Sequence, residues 1–430
     1  MTTTAIFELN DSGLHCATDS AQTIVSPGYA LLSDTGITTG QAALEKAYLD
    51  PRHSFNQYWR QLNLSPLPTN SKVARHHADL AYAQLLQLHR ELGSPEQVIF
   101  ATPGSFDREQ LAILLGLAKA SPFEAVGLVD AAVAAASQTG QQGALLHLDL
   151  QLHQAVITRL HAEGEVARHS VEVLPELGIK TFYDLWAQHI ADQFIRQYRF
   201  DPLHTAIGEQ QLYNNLPNWL SALSEQDEVG IELDSSQGRY RISLTRSQLL
   251  ACSAPRNQQL QRRISELTQT GEALLASHRL ALLPGLLEQL APAQVLSPTS
   301  AIDGCLQHMA LISTQGDLPF ITRLPGHASS TTEETPNRTP RAQSHTHRPS
   351  HLLYRHRAYA IGQHLNIAVT VTGLQIDPQG DAAYSLVSAS GTLRLQGNSA
   401  ELRCTGNPDN LVTGDSILIG NERLDLIEVI

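Results

Sequence analysis

The chain has 430 residues, with 29 lysines and arginines against 42 aspartates and glutamates, and its formal net charge is -13 at pH 7. This length predicts two or more compact units with substantial cores. The acidic balance, without a basic block interleaved with aromatic residues, argues against a nucleic-acid partner. The four cysteines are far apart, which argues against a zinc site or a dense disulfide framework and is typical of a reducing cytoplasm.

Neither export nor membrane insertion is predicted from the sequence. The N-terminal stretch MTTTAIFELND lacks the basic and apolar regions of a signal peptide. An uninterrupted apolar run of membrane-spanning length is also missing from the sequence. We therefore expect a cytoplasmic protein that does not insert into a membrane.

The first part of the chain alternates between strand and helix patterns. A strand pattern that begins at Ile6 meets the turn-forming residues Asn10, Asp11, Ser12 and Gly13, which predicts an opening hairpin. The elements predicted after it are a strand at residues 28–32, helices at residues 40–51, 73–92 and 107–120, and strands at residues 97–102 and 125–129. This alternation favours an α/β domain in which helical crossovers join parallel strands.

The pattern then repeats on a larger scale. Residues 145–160 predict a second hairpin, and residues 181–198 predict a long helix after it. We expect antiparallel strands at residues 229–233 and 238–244 and a helix that begins near Thr245. Two related halves are therefore predicted, with residues of about 200–275 as an inserted lobe.

The last quarter of the chain changes character. Residues 325–350 are rich in serine, threonine and proline and offer few apolar side chains to bury, so they predict a disordered linker. Residues 351–430 contain short apolar runs separated by glycine, asparagine, aspartate and proline. This pattern predicts a small all-β sandwich domain.

The stretch VIFATPGSFDREQLAILLGLAKASPFEAVGLVDAAVAAA carries a resemblance to a known family. It resembles the signature of the nucleotide-binding domain of the large bacterial heat-shock chaperones, within the actin, sugar-kinase and chaperone superfamily. Further similarity lies in residues 40–62, 239–249, 280–290 and 295–310. The resemblance implies a two-lobed actin-like ATPase fold over residues 1–324.

The resemblance also implies where a nucleotide would bind. In this family two glycine-containing hairpins cradle the phosphates, and carboxylates at the strand ends hold hydrated magnesium. Alignment places Glu8 and Asn10 where an Asp-x-Gly sequence is expected, and Gln151 where the second hairpin needs glycine. Asp149 keeps its carboxylate, which either binds magnesium through water or caps a turn. The nucleotide cleft, if it is used, comprises Asn10, Asp11, Ser12, Gly13, Asp149 and Gln151.

Two further departures affect the same cleft. Leu44 stands where the resemblance implies a lysine, and residues 277–284, the expected adenosine-side turn, contain no glycine. Losses at separate sites predict a pseudo-ATPase that kept the scaffold and lost efficient hydrolysis. We therefore assign no catalytic residue and no metal ligand and expect no cofactor, with ATP and magnesium as the open alternative.

The C-terminal residues resemble a forkhead-associated domain through HLLYRHRAYAIGQHLNI and LVTGDSILIGNERLDLIEV. Such domains bind phosphothreonine through an arginine and a Ser-Arg-x-His-like loop. Here Gly362 is followed by Gln363, and that loop is missing before Tyr384. The resemblance therefore implies a degenerate domain that contacts proteins without the usual phosphopeptide site.

Together these patterns predict a cytoplasmic scaffold or assembly protein that works through protein-protein contacts. One alternative is a slow ATP-binding, chaperone-like switch in which nucleotide closes the cleft between lobes. Another is an actin relative that forms homo-oligomers or filaments through head-to-tail surfaces.

Overall fold

Several β-sheets with helices packed against them give the chain a mixed α/β fold, as the sequence predicts. The structure is a computed structural model. It describes residues 3–18, 23–69, 71–236, 238–269, 271–290, 292–314, 316–326, 349–354, 357–361, 364–370, 373–376, 384–389, 392–396, 402–404, 411, 416–419 and 422–427. The chain divides into two units, Met1–Thr331 and Thr332–Ile430.

Strands and helices alternate through the first unit. Its strands are β1 (Thr4–Glu8), β2 (Leu14–Thr18), β3 (Thr23–Ser26), β4 (Ala30–Leu32), β5 (Ile37–Thr39), β6 (Ser54–Phe55), β7 (Gln97–Thr102), β8 (Glu124–Asp130), β9 (Gly143–Leu150), β10 (Gln154–Glu163), β11 (Glu165–Pro175), β12 (Glu228–Ser235), β13 (Gly238–Thr245), β14 (Ala273–Ala276), β15 (Ala293–Val295), β16 (Phe320–Ile321) and β17 (Arg323–Pro325). Its helices are α1 (Gln41–Leu44), α2 (His77–Glu91), α3 (Arg108–Lys119), α4 (Ala131–Ala136), α5 (Ile179–Tyr198), α6 (Ala206–Glu225), α7 (Arg246–Leu267), α8 (Leu286–Gln289), α9 (Ser300–Gln307) and α10 (Met309–Ile312), with 3₁₀ turns at Pro202–His204 and His278–Leu282.

Most predicted elements of this unit are confirmed. The opening hairpin is β1 and β2, the second hairpin is β9 and β10, and β12 and β13 form the predicted antiparallel pair. The helix predicted over residues 40–51 is wrong beyond α1, because the backbone tightens into turns and the N–H of Tyr48 donates instead to Gln210 Oε1 at 2.8 Å. The helix predicted over residues 73–92 begins only at His77, after a capping box between His76 and Asp79.

Five strands in each of the two large sheets of this unit follow the same order, and β16 and β17 are added at opposite edges. The first sheet has the order β16-β8-β7-β1-β2-β3, with β1 parallel to β7 and antiparallel to β2. The second has the order β15-β14-β9-β10-β11-β17, with β9 parallel to β14 and antiparallel to β10. In each sheet the first strand of a hairpin is therefore central. The repetition is what the prediction of two related halves requires.

Three apolar cores hold these layers together. One lies between the first sheet and α2 and α3, one packs the second sheet against α5, α6 and α7, and one lies between the sheets around α4 and α9. The region of about 200–275, predicted as an inserted lobe, contributes leucines to the same core as β9 and β14. The alanine-rich α4 packs closely on α9, since a Cβ on Gly304 would lie 2.0 Å from the carbonyl oxygen of Ala134. The small residues of α4 and α9 therefore let the two helices approach closely in the core.

Every secondary-structure element that the structure describes in the second unit is a strand. They are β18 (His351–Tyr354), β19 (Arg357–Ala360), β20 (His364–Thr370), β21 (Gly373–Ile376), β22 (Tyr384–Ala389), β23 (Thr392–Gln396), β24 (Leu402–Cys404), β25 (Ser416–Ile419) and β26 (Glu422–Ile427). They form sheets of order β19-β18-β26-β25-β24 and β21-β20-β22-β23. Leu352, Ile367, Leu386, Ile417 and Leu424 share a buried cluster. Strands from both sheets thus share one apolar core, as expected for a small all-β unit.

Some predictions fall on residues outside this description. Pro325 ends β17, which pairs with β11, but residues 327–348 of the predicted linker lie outside the described residues. The same holds for Gly362 and Gln363 in the predicted phosphopeptide region. Within the described part of the chain, every helix is too short or too polar to span a bilayer.

Candidate functional site

The tips of the two hairpins meet each other directly. Asn10 Nδ2 donates a hydrogen bond of 2.9 Å to Asp149 Oδ2 and one of 3.1 Å to the carbonyl oxygen of Leu150. Asp11 Oδ1 accepts a hydrogen bond of 2.6 Å from the backbone N–H of Leu152. The side chains of Asn10 and Asp11 in the first tip thus form hydrogen bonds with groups of the second tip. Glycines, which the resemblance implies here, have no side chain and would leave those positions open.

The first tip also forms hydrogen bonds within itself. Asn10 Oδ1 accepts hydrogen bonds from the backbone N–H of Ser12 at 2.9 Å and from its hydroxyl at 2.7 Å. The N–H of Gly13 donates to the carbonyl oxygen of Asn10 at 3.0 Å. This is the local turn that an asparagine side chain stabilises. The backbone N–H groups of Ser12 and Gly13 are therefore already engaged within the loop.

The second tip is closed in a similar way. The N–H of Gln151 donates to the carbonyl oxygen of Gln154 at 2.8 Å, and Gln154 Nε2 donates to Gln151 Oε1 at 2.7 Å. The carbonyl oxygen of Gln151 accepts from the N–H of Ile179 at the start of α5. Gln151 is buried, so its side chain fills space that a glycine would leave free.

An arginine occupies the ends of the central strands. Arg279, in the 3₁₀ turn after β14, donates from Nη1 to Glu8 Oε1 at 2.9 Å and to Asp149 Oδ1 at 3.4 Å. Its Nη2 donates to the carbonyl oxygen of Gly13 at 3.4 Å. The guanidinium is 3% exposed. It pairs with Glu8 and with Asp149, the carboxylate for which the resemblance leaves a magnesium role open.

The electrostatics of this cluster keep its ion pairs charged. Burial raises the pKa of the Asp149 carboxyl, but the charge of Arg279 and smaller contributions from neighbouring groups together hold that pKa below its usual range. Burial lowers the pKa of Arg279, whereas Glu8 and Asp149 raise it, and the net pKa lies above the usual arginine value. Burial, helped by the charge of Arg279, lowers the pKa of His278 to about 4. At neutral pH this ring is therefore uncharged beside a charged guanidinium.

The conspicuous carboxylate of the family-like signature is also engaged. Asp130 Oδ1 accepts from the backbone N–H groups of Ala132 at 2.9 Å and Val133 at 3.3 Å, which caps α4. Its Oδ2 forms a 2.8 Å ion pair with Arg168 Nη1 on β11. Asp130 is fully buried, and this pair joins the first sheet to the second. The carboxylate therefore acts as a helix cap and a link between sheets.

An apolar cluster replaces the lysine that the resemblance implies. Leu44 packs with Tyr29, Ala43, Ala47 and Leu152, the last of which belongs to the second hairpin tip. An amine here would reach toward the phosphates, but a leucine side chain has no group that can do so. The position instead attaches the α1 segment to the second half by apolar contact.

A second contact closes the chain over the same region. The rings of Tyr48 and Tyr213 stack with centroids 4.0 Å apart and planes inclined by 12°. Lys180 Nζ lies 5.8 Å and 5.6 Å from the two ring centroids and pairs with Asp184 at 2.7 Å. The Tyr213 hydroxyl donates to Asp184 Oδ1 at 2.6 Å. We call these four residues the tyrosine clasp, since it joins the α1 segment to α5 and α6.

Little free volume remains beside the arginine. The cavity lined by Glu8, His147, Asp149, Ser277 and Arg279 measures about 30 Å³. A buried water needs roughly 10–15 Å³ in this measure, whereas ligand pockets for larger molecules measure roughly 300–1,000 Å³. The cavity has room for one or two waters and is too small for a nucleotide.

The structure brings the predicted cleft residues together around Arg279, a residue that sequence reasoning missed. Asn10, Asp11, Ser12, Gly13, Asp149 and Gln151 all lie at the two hairpin tips. Arg279 and Arg168 were not singled out as site residues. The signal for Arg279 was its place in the glycine-free turn of residues 277–284, which the resemblance places on the adenosine side of the cleft.

No protein-family model and no curated protein matches this chain. Function is therefore inferred from the geometry of the cleft.

Proposed function

We propose that residues 1–324 form a two-lobed actin-like domain, related to the heat-shock chaperones, whose nucleotide cleft is filled by its own side chains. The protein would then act in the cytoplasm as a scaffold or assembly factor. The repeated strand order of the two sheets and the position of both hairpins at their centres support the fold assignment. The small β unit would supply a second, forkhead-associated-like surface for protein contacts.

The guanidinium of Arg279 between Glu8 and Asp149 is the observation that carries this proposal. For Mg-ATP to bind as in the family, this arginine would have to leave two buried carboxylates. Breaking a buried ion pair by removing one partner costs about 3–5 kcal/mol, because the remaining charge is left uncompensated. The bonds between the hairpin tips would have to open as well. Both costs oppose nucleotide entry.

A filled cleft has a consequence for the mode of action. Nucleotide-driven switches in such folds depend on two arrangements of the lobes around a bound ligand. Here the ion pairs of Arg279 and Arg168 and the tyrosine clasp all favour one arrangement. The protein would therefore present its outer surfaces in a constant geometry, which suits a scaffold.

The test is a thermal-shift and calorimetric titration of the full chain with millimolar Mg-ATP. A ligand that binds only the folded state must raise its stability. We expect no shift with Mg-ATP or Mg-ADP. A magnesium-dependent shift that disappears in Asp149→Ala would overturn the proposal in favour of the ATP-binding switch. Nucleotide-dependent sedimentation of the protein would instead favour the filament-forming relative.

A further inference from the structure

A larger cavity lies beside the same hairpin tips. It measures about 150 Å³ and its lining includes Leu9, Asp11, Trp59, Arg60, Gln151 and Gln154. Pro103 lies in the lining of this cavity and of the small cavity beside Arg279. Asp11, Arg60 and the two glutamines make this lining strongly polar.

The lining of this cavity includes Asp11, a buried acid whose carboxylate is hydrogen-bonded at only one oxygen by the residues described. Asp11 is 4% exposed, and its Oδ1 accepts the N–H of Leu152. Its buried Oδ2 has no hydrogen-bond partner in the described part of the chain. Burial raises the pKa of Asp11 to about 6, so the carboxyl is still largely ionised at neutral pH. A buried carboxylate oxygen without a donor is costly.

A cation without a partner lines the same cavity. Arg60 is half-buried, and its carbonyl oxygen accepts a 2.9 Å hydrogen bond from Gln110 Nε2. Its guanidinium forms no ion pair and no hydrogen bond with any residue that the structure describes. The charge of Arg60 acts on Asp11 and opposes the rise in its pKa. Opposite charges thus line one cavity without forming a direct ion pair.

Two amides add donor and acceptor capacity between them. Gln154 Nε2 donates to Gln151 Oε1, which leaves Gln151 Nε2 as a donor and Gln154 Oε1 as an acceptor with no partner among the residues described. Leu9 and Trp59 supply apolar wall. A ligand that fits must carry both charges, since a singly charged one would leave Asp11 or Arg60 uncompensated.

We propose that this cavity binds a small zwitterion, an amino acid that carries its ammonium and carboxylate on a short chain. The ammonium pairs with Asp11, whose Oδ2 receives no hydrogen bond from the described part of the chain. The carboxylate pairs with Arg60. The amide groups of Gln151 and Gln154 complete the hydrogen bonds. The volume restricts the ligand to a few heavy atoms, well below the roughly 300 Å³ of a larger ligand pocket. This role is additional to the scaffold role and does not depend on it.

The first test compares ligands on the full chain by calorimetry and thermal shift. Glycine, β-alanine and γ-aminobutyrate vary the separation of the two charges, and acetate and methylammonium each carry one. We expect at least one zwitterion to bind and to raise the unfolding temperature, with the single-charge probes binding at least about ten-fold more weakly. The proposal is overturned if no zwitterion binds at millimolar concentration, or if a single-charge probe binds equally well.

The second test assigns each charge to its residue. Arg60→Gln and Asp11→Asn should each weaken zwitterion binding about ten-fold or more, because each removes a charge-assisted hydrogen bond. Arg52→Gln, at an exposed arginine, is the matched control and should bind as the natural chain does. Glycinamide, which lacks the carboxylate, should bind equally to the natural chain and to Arg60→Gln. Unchanged zwitterion affinity in Arg60→Gln, whose half-buried position tolerates glutamine, would rule out the assignment even if Asp11→Asn fails to fold.

Discussion

The charges beside the two hairpin tips are arranged in contrasting ways. Around Arg279, one guanidinium lies against two carboxylates, and the remaining cavity holds only one or two waters. Around Asp11, an acid and Arg60 line a larger cavity without touching each other. A closed cluster of this kind stabilises one arrangement of the chain. An open one needs a ligand or water to satisfy its charges.

The largest expected effect is the loss of the closed cluster. Arg279→Met leaves Glu8 and Asp149 buried without their cation, so we expect the free energy of unfolding to fall by about 3–5 kcal/mol. Urea denaturation measures this change. The triple variant Glu8→Gln, Asp149→Asn, Arg279→Met removes the charges together and should recover much of the loss.

The control for that variant is a surface ion pair. Arg323→Met breaks the exposed pair between Arg323 and Glu165, which are 68% and 51% exposed at the side chain. We expect a change of no more than about 1 kcal/mol. Equal effects of Arg279→Met and Arg323→Met would mean that the Arg279 cluster contributes little to holding the cleft closed.

Removing the charge of Asp11 in the larger cavity should stabilise the protein, whereas removing Arg279 should destabilise it. Because the pKa of Asp11 is raised from 3.8 to about 6 in the folded state, its ionisation destabilises the fold as pH rises through 6. Asp11→Asn, without ligand, should therefore stabilise the protein at pH 8 by up to about 3 kcal/mol, from two pKa units of about 1.4 kcal/mol each. The gain should vanish as pH falls toward 4.

Thermal unfolding across that pH range measures the Asp11 effect. Asp34→Asn, at an exposed aspartate, is the control and should show no such trend. A variant Asp11→Asn that is no more stable than the natural chain at pH 8 would contradict the unpaired charge on which the comparison depends.

A smaller effect should appear in acid at the closed cluster. Burial and Arg279 lower the pKa of His278 from 6.5 to about 4. The neutral ring therefore contributes stability that is complete above pH 6.5 and is lost as pH falls toward 4. His278→Gln should reduce this acid loss by about 1 kcal/mol, since the ring is partly exposed and solvent screens it.

The matched measurement for His278 uses another histidine. His161→Gln changes a ring that is 57% exposed at the side chain, and it should leave the acid limb of the stability curve as it is. An acid limb in His278→Gln identical to that of the natural chain would show that burial and Arg279 do not oppose charge on this ring.

An effect of similar size is expected at the tyrosine clasp. Tyr213→Phe keeps the stacking with Tyr48 and removes the hydrogen bond to Asp184. We expect a loss of about 0.5–1.5 kcal/mol in urea denaturation. Zwitterion binding and the cost of Arg279→Met should both stay the same, because the clasp contacts neither Arg279 nor Arg60. Altered zwitterion affinity in Tyr213→Phe would mean that the two regions are coupled through the clasp.

Local elements were largely predictable from the sequence. The bounds of β7 agree with the prediction, and α3 and α5 agree within two residues at each end. Apolar spacing and capping residues such as Asp107 act over a few residues, so their signal is present in the chain itself. The helix over residues 40–51 failed because a distant side chain, Gln210, takes the N–H of Tyr48.

The sequence by itself determined most of the strand and helix pattern and the all-β character of the second unit. Only the tertiary structure decided which side chain lies between Glu8 and Asp149. Arg279 is 271 residues from Glu8 and 130 from Asp149 along the chain. Such a pairing depends on strand order and on where each strand ends, which local propensity does not encode. For the same reason, only the folded chain shows that Arg279 lies against two carboxylates, whereas Arg60 lines a larger cavity.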